Sequence, residues 1–153
     1  MNDLVEEMAQ RKKLKLNKKF APLPMDDGDE FFRNGIFEFS VTQMLTFIEA
    51  NPGKFPIEQI PLSTLIDYGG GDRLDQKTIL NADLSKPILM AEISPGRFNV
   101  IDGNHRLERA RRENAETIPA RRIFVEEHVA FLKSVRAYEA YVAYWNEKVE
   151  RAR

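Results

Sequence analysis

Apolar residues cluster or alternate in five short segments of the chain, and each segment predicts a β-strand. The segments are residues 36–39, 57–65, 87–90, 98–101 and 117–125. Pro61 makes the second an edge strand followed by a turn, and the turn-forming pair Pro95-Gly96 joins the third to the fourth. The last two segments flank a helical pattern, and strand, helix, strand is the order of a crossover unit.

Capping residues stand before several helical patterns. Ser40 with Gln43 has the spacing of a capping box, and Asp75 can accept hydrogen bonds from the backbone two or three residues on. These signals predict helices after residue 40, ending at 51–53, and after residue 75. A third helix follows Asp102-Gly103 as far as about Glu113, and residues 3–10 have the pattern of a short helix.

One apolar stripe with alternating spacings of three and four predicts a continuous helix from Glu126 almost to the end of the chain. Its members are His128, Phe131, Val135, Tyr138, Val142, Trp145 and Val149. The stripe is expected to pack on the protein's own sheet, with a homodimer contact as the alternative.

These elements together predict an α+β fold with a small mixed sheet, helices packed on it and a long C-terminal helix. We expect an N-terminal helical extension over residues 1–56, a core over 57–125 and a C-terminal helix over 126–153, in one compact domain.

Composition narrows the class of protein. A chain of 153 residues with 42% hydrophobic and 31% charged residues is typical of a single globular domain, and a net charge of −1 gives no global attraction to nucleic acid or anionic lipid. The absence of cysteine excludes disulfides, thiolate metal sites and cysteine nucleophiles. Neither a secretory signal nor an apolar run of about 20 residues is present, so we expect a cytoplasmic protein without a membrane contact.

Basic residues between 11 and 19 are followed by acidic residues between 26 and 30. Neighbouring blocks of opposite charge predict a solvated arm, with a nucleic-acid-binding or partner-binding arm as the alternative.

Residues 98–112 hold the candidate chemistry, because a predicted strand turns through Asp102-Gly103 directly into a helix. Gly103 can adopt a positive φ, and the free N–H groups of the following helix start attract anions. Residues 97–122 also contain seven of the thirteen arginines and none of the ten lysines, which favours an oxyanion site. The alternative is an exposed helix face balanced by Glu108 and Glu113.

Asp102 and His105 are the candidate catalytic residues of this turn. A carboxylate about 4 Å from a phosphate charge would cost on the order of 4 kcal/mol, so Asp102 requires a role such as Mg2+ ligand or general base. His105 can donate to a phosphate oxygen or shuttle a proton. The alternatives are that Asp102 only caps the turn and that His105 is structural. A zinc site is not expected, because the only other histidine is His128.

The residues Asp102, Gly103, Asn104, His105 and Arg106, together with the flanking strands, resemble the signature of the ParB/sulfiredoxin superfamily over residues 57–125. Sulfiredoxins bind ATP here and carry a reactive cysteine where this chain has Asn104, so sulfinic-acid repair is excluded. Partition proteins of the ParB type bind CTP and carry a glutamate at that position, from which Asn104 also departs.

The motif is most similar to that of the free serine kinase branch, Asp-Gly-His-His-Arg, which matches at Asp102, Gly103, His105 and Arg106. The resemblance implies that Asp102 is catalytic and that the turn binds nucleotide phosphates. It also implies a second carboxylate upstream, for which Asp67 is the candidate.

We therefore expect a nucleotide-binding protein that uses ATP or CTP with Mg2+ and acts as a phosphotransferase or an NTP hydrolase. The expected phosphate-binding residues are Gly103, Asn104, His105, Arg106 and Arg109, with Asp102 as base or Mg2+ ligand. One alternative is a DNA-associated or nuclease ParB-like domain that contacts nucleic acid through residues 12–19 and the arginines. The other is a non-catalytic interaction module that uses Trp145 and its stripe.

Overall fold

The computed structural model describes residues 11–35, 37–65 and 74–152. These residues form a two-stranded hairpin, a four-stranded mixed sheet and five α-helices, so the predicted α+β class with a mixed sheet is confirmed. The strands are β1 (Phe31–Asn34), β2 (Phe37–Ser40), β3 (Glu58–Pro61), β4 (Ile88–Ser94), β5 (Arg97–Asp102) and β6 (Thr117–Ile123). The helices are α1 (Val41–Ala50), α2 (Gln76–Leu80), α3 (Asn104–Arg112), α4 (Val125–His128) and α5 (Val135–Ala152).

The four-stranded sheet has the order β3-β6-β4-β5, and only β4 and β6 are parallel. The tight turn before Arg97 places β5 on one edge of β4, so β6 pairs with the other edge. Consequently β5 and β6 run in opposite directions, and α3 does not connect two parallel strands. The prediction of a simple crossover unit from β5 to β6 was wrong for this reason.

Two predicted helix caps are confirmed. Ser40 Oγ accepts a hydrogen bond from the Gln43 N–H at 3.3 Å, and the Asp75 carboxylate accepts one from the Thr78 N–H at 3.1 Å. Such caps satisfy N–H groups that the helix itself leaves free. Every helix among the described residues is too short or too polar to cross a lipid bilayer.

The single helix predicted from Glu126 is interrupted. After α4 and a 3₁₀ turn over Val129–Phe131, Leu132 adopts an extended conformation with ψ 143°. The Lys133 N–H then donates to Glu38 O at 2.9 Å, and Ser134 Oγ accepts from the Ala137 N–H at 3.0 Å. Ser134 therefore caps a new helix, α5, and the predicted long C-terminal helix is confirmed over Val135–Ala152. Its predicted start at Glu126 was wrong, because the chain between α4 and α5 hydrogen-bonds to the β2 backbone instead.

The prediction of a helical N-terminal extension was also wrong for most of the described part of residues 1–56. The chain from 11 to 30 contains neither helix nor strand, β1 and β2 follow as a hairpin, and the helix in this region is α1. The helix predicted at 3–10 lies outside the described residues.

Residues 11–20 form a strap along α5. Trp145 Nε1 donates to Lys12 O at 2.9 Å, and the Asn146 side-chain amide exchanges two hydrogen bonds with the backbone of Leu14 at 2.6 and 3.0 Å. Phe20 stacks on the Tyr138 ring with centroids 4.1 Å apart. The predicted solvated arm is thus a docked segment, although its lysine side chains remain exposed.

Both faces of the four-stranded sheet are covered. One face packs against α1, α5 and the hairpin, and the other against α3 and the 3₁₀ turn at Leu62–Leu65. Trp145 and Val149 of the C-terminal stripe are fully buried in the first cluster. The stripe therefore packs within the chain as expected, and its buried residues are not available for the alternative dimer contact.

Glu92 in β4 is 1% exposed. Its carboxylate accepts hydrogen bonds from the Arg11 guanidinium at 2.9 Å, the Gly96 N–H at 3.0 Å and the Val125 N–H at 3.3 Å. Its backbone carbonyl accepts from His128 Nε2 and from the Tyr141 hydroxyl. Burial raises the pKa of the Glu92 carboxyl, whereas the Gly96 N–H, the Arg11 cation and the Val125 N–H favour its charged form.

We predict that His128 makes stability depend on pH. Burial lowers its pKa from 6.5 to about 4, and its Nδ1 has no hydrogen-bond partner in the described part of the chain. A histidine whose pKa is lower in the folded state stabilises the fold at pH values above its unfolded pKa. The unfolding free energy should therefore fall by up to about 3 kcal/mol as pH drops from 6.5 to about 4. The raised pKa of Glu92 has the opposite effect on stability. The stability that this group contributes is present at low pH and is lost as pH rises through its folded pKa.

Urea unfolding across this pH range separates the two groups. His128→Gln keeps a donor for Glu92 O and should flatten the loss of stability at acidic pH. The matched control His105→Gln removes the other histidine and should keep the wild-type dependence. Equal slopes for wild type and His128→Gln would contradict a neutral, buried His128.

We also predict that Arg11 stabilises the fold through Glu92. Arg11→Met leaves a buried carboxylate without its cation and should lower the unfolding free energy by about 2 kcal/mol. Adding Glu92→Gln should recover part of that loss, because a neutral amide needs no cation. The control is Lys13→Met on the same strap, whose exposed pair with Glu150 should be worth less than about 1 kcal/mol. An Arg11→Met effect no larger than that of Lys13→Met in urea unfolding would contradict the pairing.

Candidate functional site

Gly103 forms the turn between β5 and α3. Its φ of +99° lies in the left-handed region that favours glycine, as the sequence predicted. A Cβ placed there would lie 2.7 Å from Ile88 Cγ2 and 3.1 Å from Arg106 Nη2. Both the backbone conformation and the space above β4 therefore require a residue without a side chain.

The N-terminus of α3 is free of side-chain caps. Gly103 is the N-cap residue and provides no side-chain acceptor, and the first helical hydrogen bond runs from the Leu107 N–H to Gly103 O at 2.9 Å. The N–H groups of Asn104, His105 and Arg106 precede that bond and so lack helical partners. This end of the helix presents partial positive charge without an internal counterpart.

Asp102 and Arg106 form an ion pair across the turn. Arg106 Nη2 lies 3.1 Å from Asp102 Oδ2, and Arg106 Nη1 donates to Pro87 O at 2.6 Å. The side chains of Arg106 and Asp102 are 17% and 25% exposed, so both are accessible from solvent. Asp102 Oδ1 makes no hydrogen bond within the described residues and remains open as an acceptor.

Two clefts meet at this ion pair. The first, the α3 cleft, has a volume of about 650 Å³ and is lined by the α3 N-terminus at Gly103, Asn104 and His105 together with Asp83 and Glu30. The second, the α1 cleft, has a volume of about 390 Å³ and is walled mainly by α1 and the start of β4. Both clefts share Lys86, Asp102 and Arg106.

Charges in the α3 cleft are mixed. Lys86, Arg106 and His105 supply donors, and Glu30, Asp83 and Asp102 supply carboxylates. The Asp83 carboxylate is engaged by the Ser85 hydroxyl and N–H at 2.6 and 3.0 Å, which lower its pKa. Asp102, at the junction with the second cleft, therefore combines an open oxygen with a position next to the helix N-terminus.

Magnesium fits this arrangement only together with a phosphate ligand. Among the described residues no group of three or more histidine or carboxylate side chains is placed to hold a metal ion. Mg2+ is commonly bound through one or two carboxylates, phosphate oxygens and water, and Asp102 Oδ1 can supply one such ligand.

Arg109, a predicted phosphate ligand, has a structural contact. Its guanidinium donates to Leu80 O at 2.9 Å, to Ala82 O at 2.6 Å and to the Glu113 carboxylate at 3.2 Å, so it fastens α3 to the end of α2. Binding of phosphate by Arg109 stays a prediction, and these contacts give its guanidinium a structural role. Asp67, the predicted second carboxylate, lies outside the described residues.

The seven arginines of residues 97–122 do not form one surface. Arg112 pairs with Glu108 at 2.9 Å, and Arg122 makes a two-point contact with Glu58 at 2.8 and 2.9 Å. Arg111 donates to Leu65 O. These contacts agree with the alternative of a charge-balanced helix face.

Sequence reasoning missed Lys86 and Arg121 as cleft residues. Lys86 precedes β4, and its position opposite the end of β5 follows from the antiparallel pairing of the two strands. Arg121 reaches the α1 cleft because β6 pairs with β4 in the register Leu89 to Arg121. The only local signal was a lysine directly before a predicted strand.

Comparisons of the chain with protein-family models, with curated proteins and with solved structures found no match in any of the three. The resemblance to the ParB/sulfiredoxin superfamily stays a prediction that depends on the motif at residues 102–106 and its flanking strands.

Proposed function

We propose that this chain binds a nucleoside triphosphate in the α3 cleft and transfers its terminal phosphoryl group to a hydroxyl group or to water. The observation that supports this most is the uncapped N-terminus of α3 beside Gly103, in one cleft with Lys86, Arg106 and the open oxygen of Asp102. The motif at residues 102–106 supports the same function through its resemblance.

Phosphate binding follows from the geometry of the turn. The N–H groups of Asn104 and His105 and the partial positive charge of the helix end attract phosphate oxygens. Lys86 adds a flexible cation, and Arg106 adds a planar donor that is already positioned by Pro87 O. Gly103 supplies the positive φ at which β5 turns directly into this helix start.

Asp102 is the proposed general base. In the transfer, the acceptor oxygen bonds to the terminal phosphorus while the bond from that phosphorus to the bridging oxygen breaks. The nucleoside diphosphate leaves with the electron pair, and the acceptor proton moves to Asp102. His105 lies at the α3 N-terminus and can donate to a phosphate oxygen during this step. In the alternative role, Asp102 would instead be the one protein ligand of bound Mg2+, which would offset phosphate charge.

We predict that Asp102→Asn separates binding from chemistry. The amide keeps the shape of the turn but cannot accept the proton, so phosphoryl release should fall by about 100-fold or more while nucleotide binding remains. Titration calorimetry with ATP, CTP and GTP plus Mg2+ measures binding, and phosphate release measures the reaction. The control Glu108→Gln changes a carboxylate on α3 that pairs with Arg112 and should leave both unchanged.

A wild-type protein that gives no binding heat with any of the three nucleotides at millimolar concentration would refute the proposal. Binding without any phosphate release, and unaffected by Asp102→Asn, would indicate a non-catalytic nucleotide-binding module.

We also predict that Gly103→Ala damages the site more than an ordinary glycine replacement. The left-handed backbone and the contact with Ile88 should together cost about 2 kcal/mol of stability, and nucleotide affinity should fall by about tenfold. The matched control is Gly53→Ala, because a Cβ at Gly53 meets no atom within 4 Å and its φ is not positive. Thermal unfolding and titration calorimetry of both variants test this. Similar unfolding temperatures for the two would contradict the tight turn.

A further inference from the structure

The α1 cleft shares the Asp102–Arg106 ion pair with the α3 cleft, and five of its ten lining residues are apolar. Leu45 and Ile48 of α1 form one side, and Pro87 and Leu89 at the start of β4 form the other. A volume of about 390 Å³ suits a small molecule rather than a macromolecule. Its α1 wall lies outside residues 57–125, so the cleft is not a property of the predicted core alone.

Arg121 is the unusual residue of this cleft. Its Nε is buried without a hydrogen-bond partner, and its guanidinium forms no ion pair within the described residues. The next residue, Arg122, is by contrast paired with Glu58 and lies over the Phe98 and Phe124 rings. A buried donor left unpaired is costly, and the Nη groups of the same guanidinium make no hydrogen bond within the described residues, so they can donate to a ligand with oxyanion acceptors.

The charges around Arg121 favour an anion. Lys86, Arg106 and Arg121 line the cleft together with Glu49 and Asp102, so cations outnumber carboxylates by three to two. Asp102 is already paired with Arg106, and Glu49 is exposed without an ion pair to Arg121 within the described residues. This excess of positive charge would attract an anionic ligand, and the neighbouring apolar residues would contact the apolar part of that ligand.

We propose that the α1 cleft binds a small molecule with an apolar body and a terminal oxyanion, either a carboxylate or a phosphate ester, anchored by Arg121. This binding does not depend on nucleotide chemistry. A second part rests on the proposed function: because Asp102 lines both clefts, the occupant is the phosphoryl acceptor when it also carries a hydroxyl group. Its hydroxyl oxygen then bonds to the terminal phosphorus, the bridging bond breaks, and the proton moves to Asp102.

Titration calorimetry and ligand-observed NMR with phenylacetate, phenyl phosphate and phenethylamine test the binding. The two anions share an apolar ring and differ in the oxyanion, whereas phenethylamine has the same ring with a cation. We expect wild type to bind at least one anion at millimolar concentration and to bind phenethylamine more weakly. The stronger of the two anions identifies the oxyanion class.

Arg121→Gln should weaken binding of the preferred anion by about tenfold, and Arg121→Lys should weaken it by less. The matched control is Arg112→Gln, which removes an exposed arginine of α3 outside the cleft and should leave binding unchanged. Leu45→Ser tests the apolar wall. It should weaken binding of the aromatic anions without affecting binding of acetate. The unfolding temperature of Arg121→Gln should equal or exceed that of wild type, because the substitution removes a buried, unpaired donor.

Three results would overturn the proposal: no binding of either anion to wild type, equal affinity for wild type and Arg121→Gln, or a lower unfolding temperature of Arg121→Gln at unchanged affinity. Measuring nucleotide binding as well separates this inference from the proposed function. If wild type binds nucleotide but neither anion, only the inference about the α1 cleft is refuted. If wild type binds an anion through Arg121 but binds no nucleotide, the α1 site is supported and the proposed function is refuted.

Discussion

The buried carboxylate of Glu92 is the interaction on which the assembly of the fold depends. It joins the strap through Arg11, the β4–β5 turn through Gly96 and the start of α4 through Val125. A carboxylate in the interior is tolerated only when its charge and lone pairs are satisfied. Three segments, two of them distant in sequence from Glu92, are therefore held in fixed positions by a single residue of β4.

The same strand also positions the candidate site. Glu92 lies near the end of β4, and Ile88 at its beginning lies directly beneath Gly103. The carbonyl of Pro87, one residue earlier, holds the Arg106 guanidinium beside Asp102. The site thus consists of a short turn placed against the most enclosed strand of the sheet. Its geometry follows from the sheet.

Features determined by neighbouring residues could be predicted from the sequence, whereas features determined by distant contacts could not. The Ser40 cap and the positive φ of Gly103 depend on hydrogen bonds and sterics within a few residues, and both were predicted. The interruption before α5 depends on a bond between Lys133 and Glu38, which no local pattern indicates. Arg109 illustrates the same limit, because its charge suggested phosphate binding while two of its partners lie at and just after the end of α2, about thirty residues away along the chain.

The strap has a consequence for how the protein is made. The hydrogen bonds between Leu14 and Asn146 join residues 132 positions apart. The strap backbone consequently has no docking surface until the ribosome has released the segment that forms α5. The strands at residues 58–123 are closer together in sequence and can pair earlier at a lower cost in loop entropy. An emerging chain would therefore pass through a stage in which the sheet is assembled and one side of its interior is still uncovered.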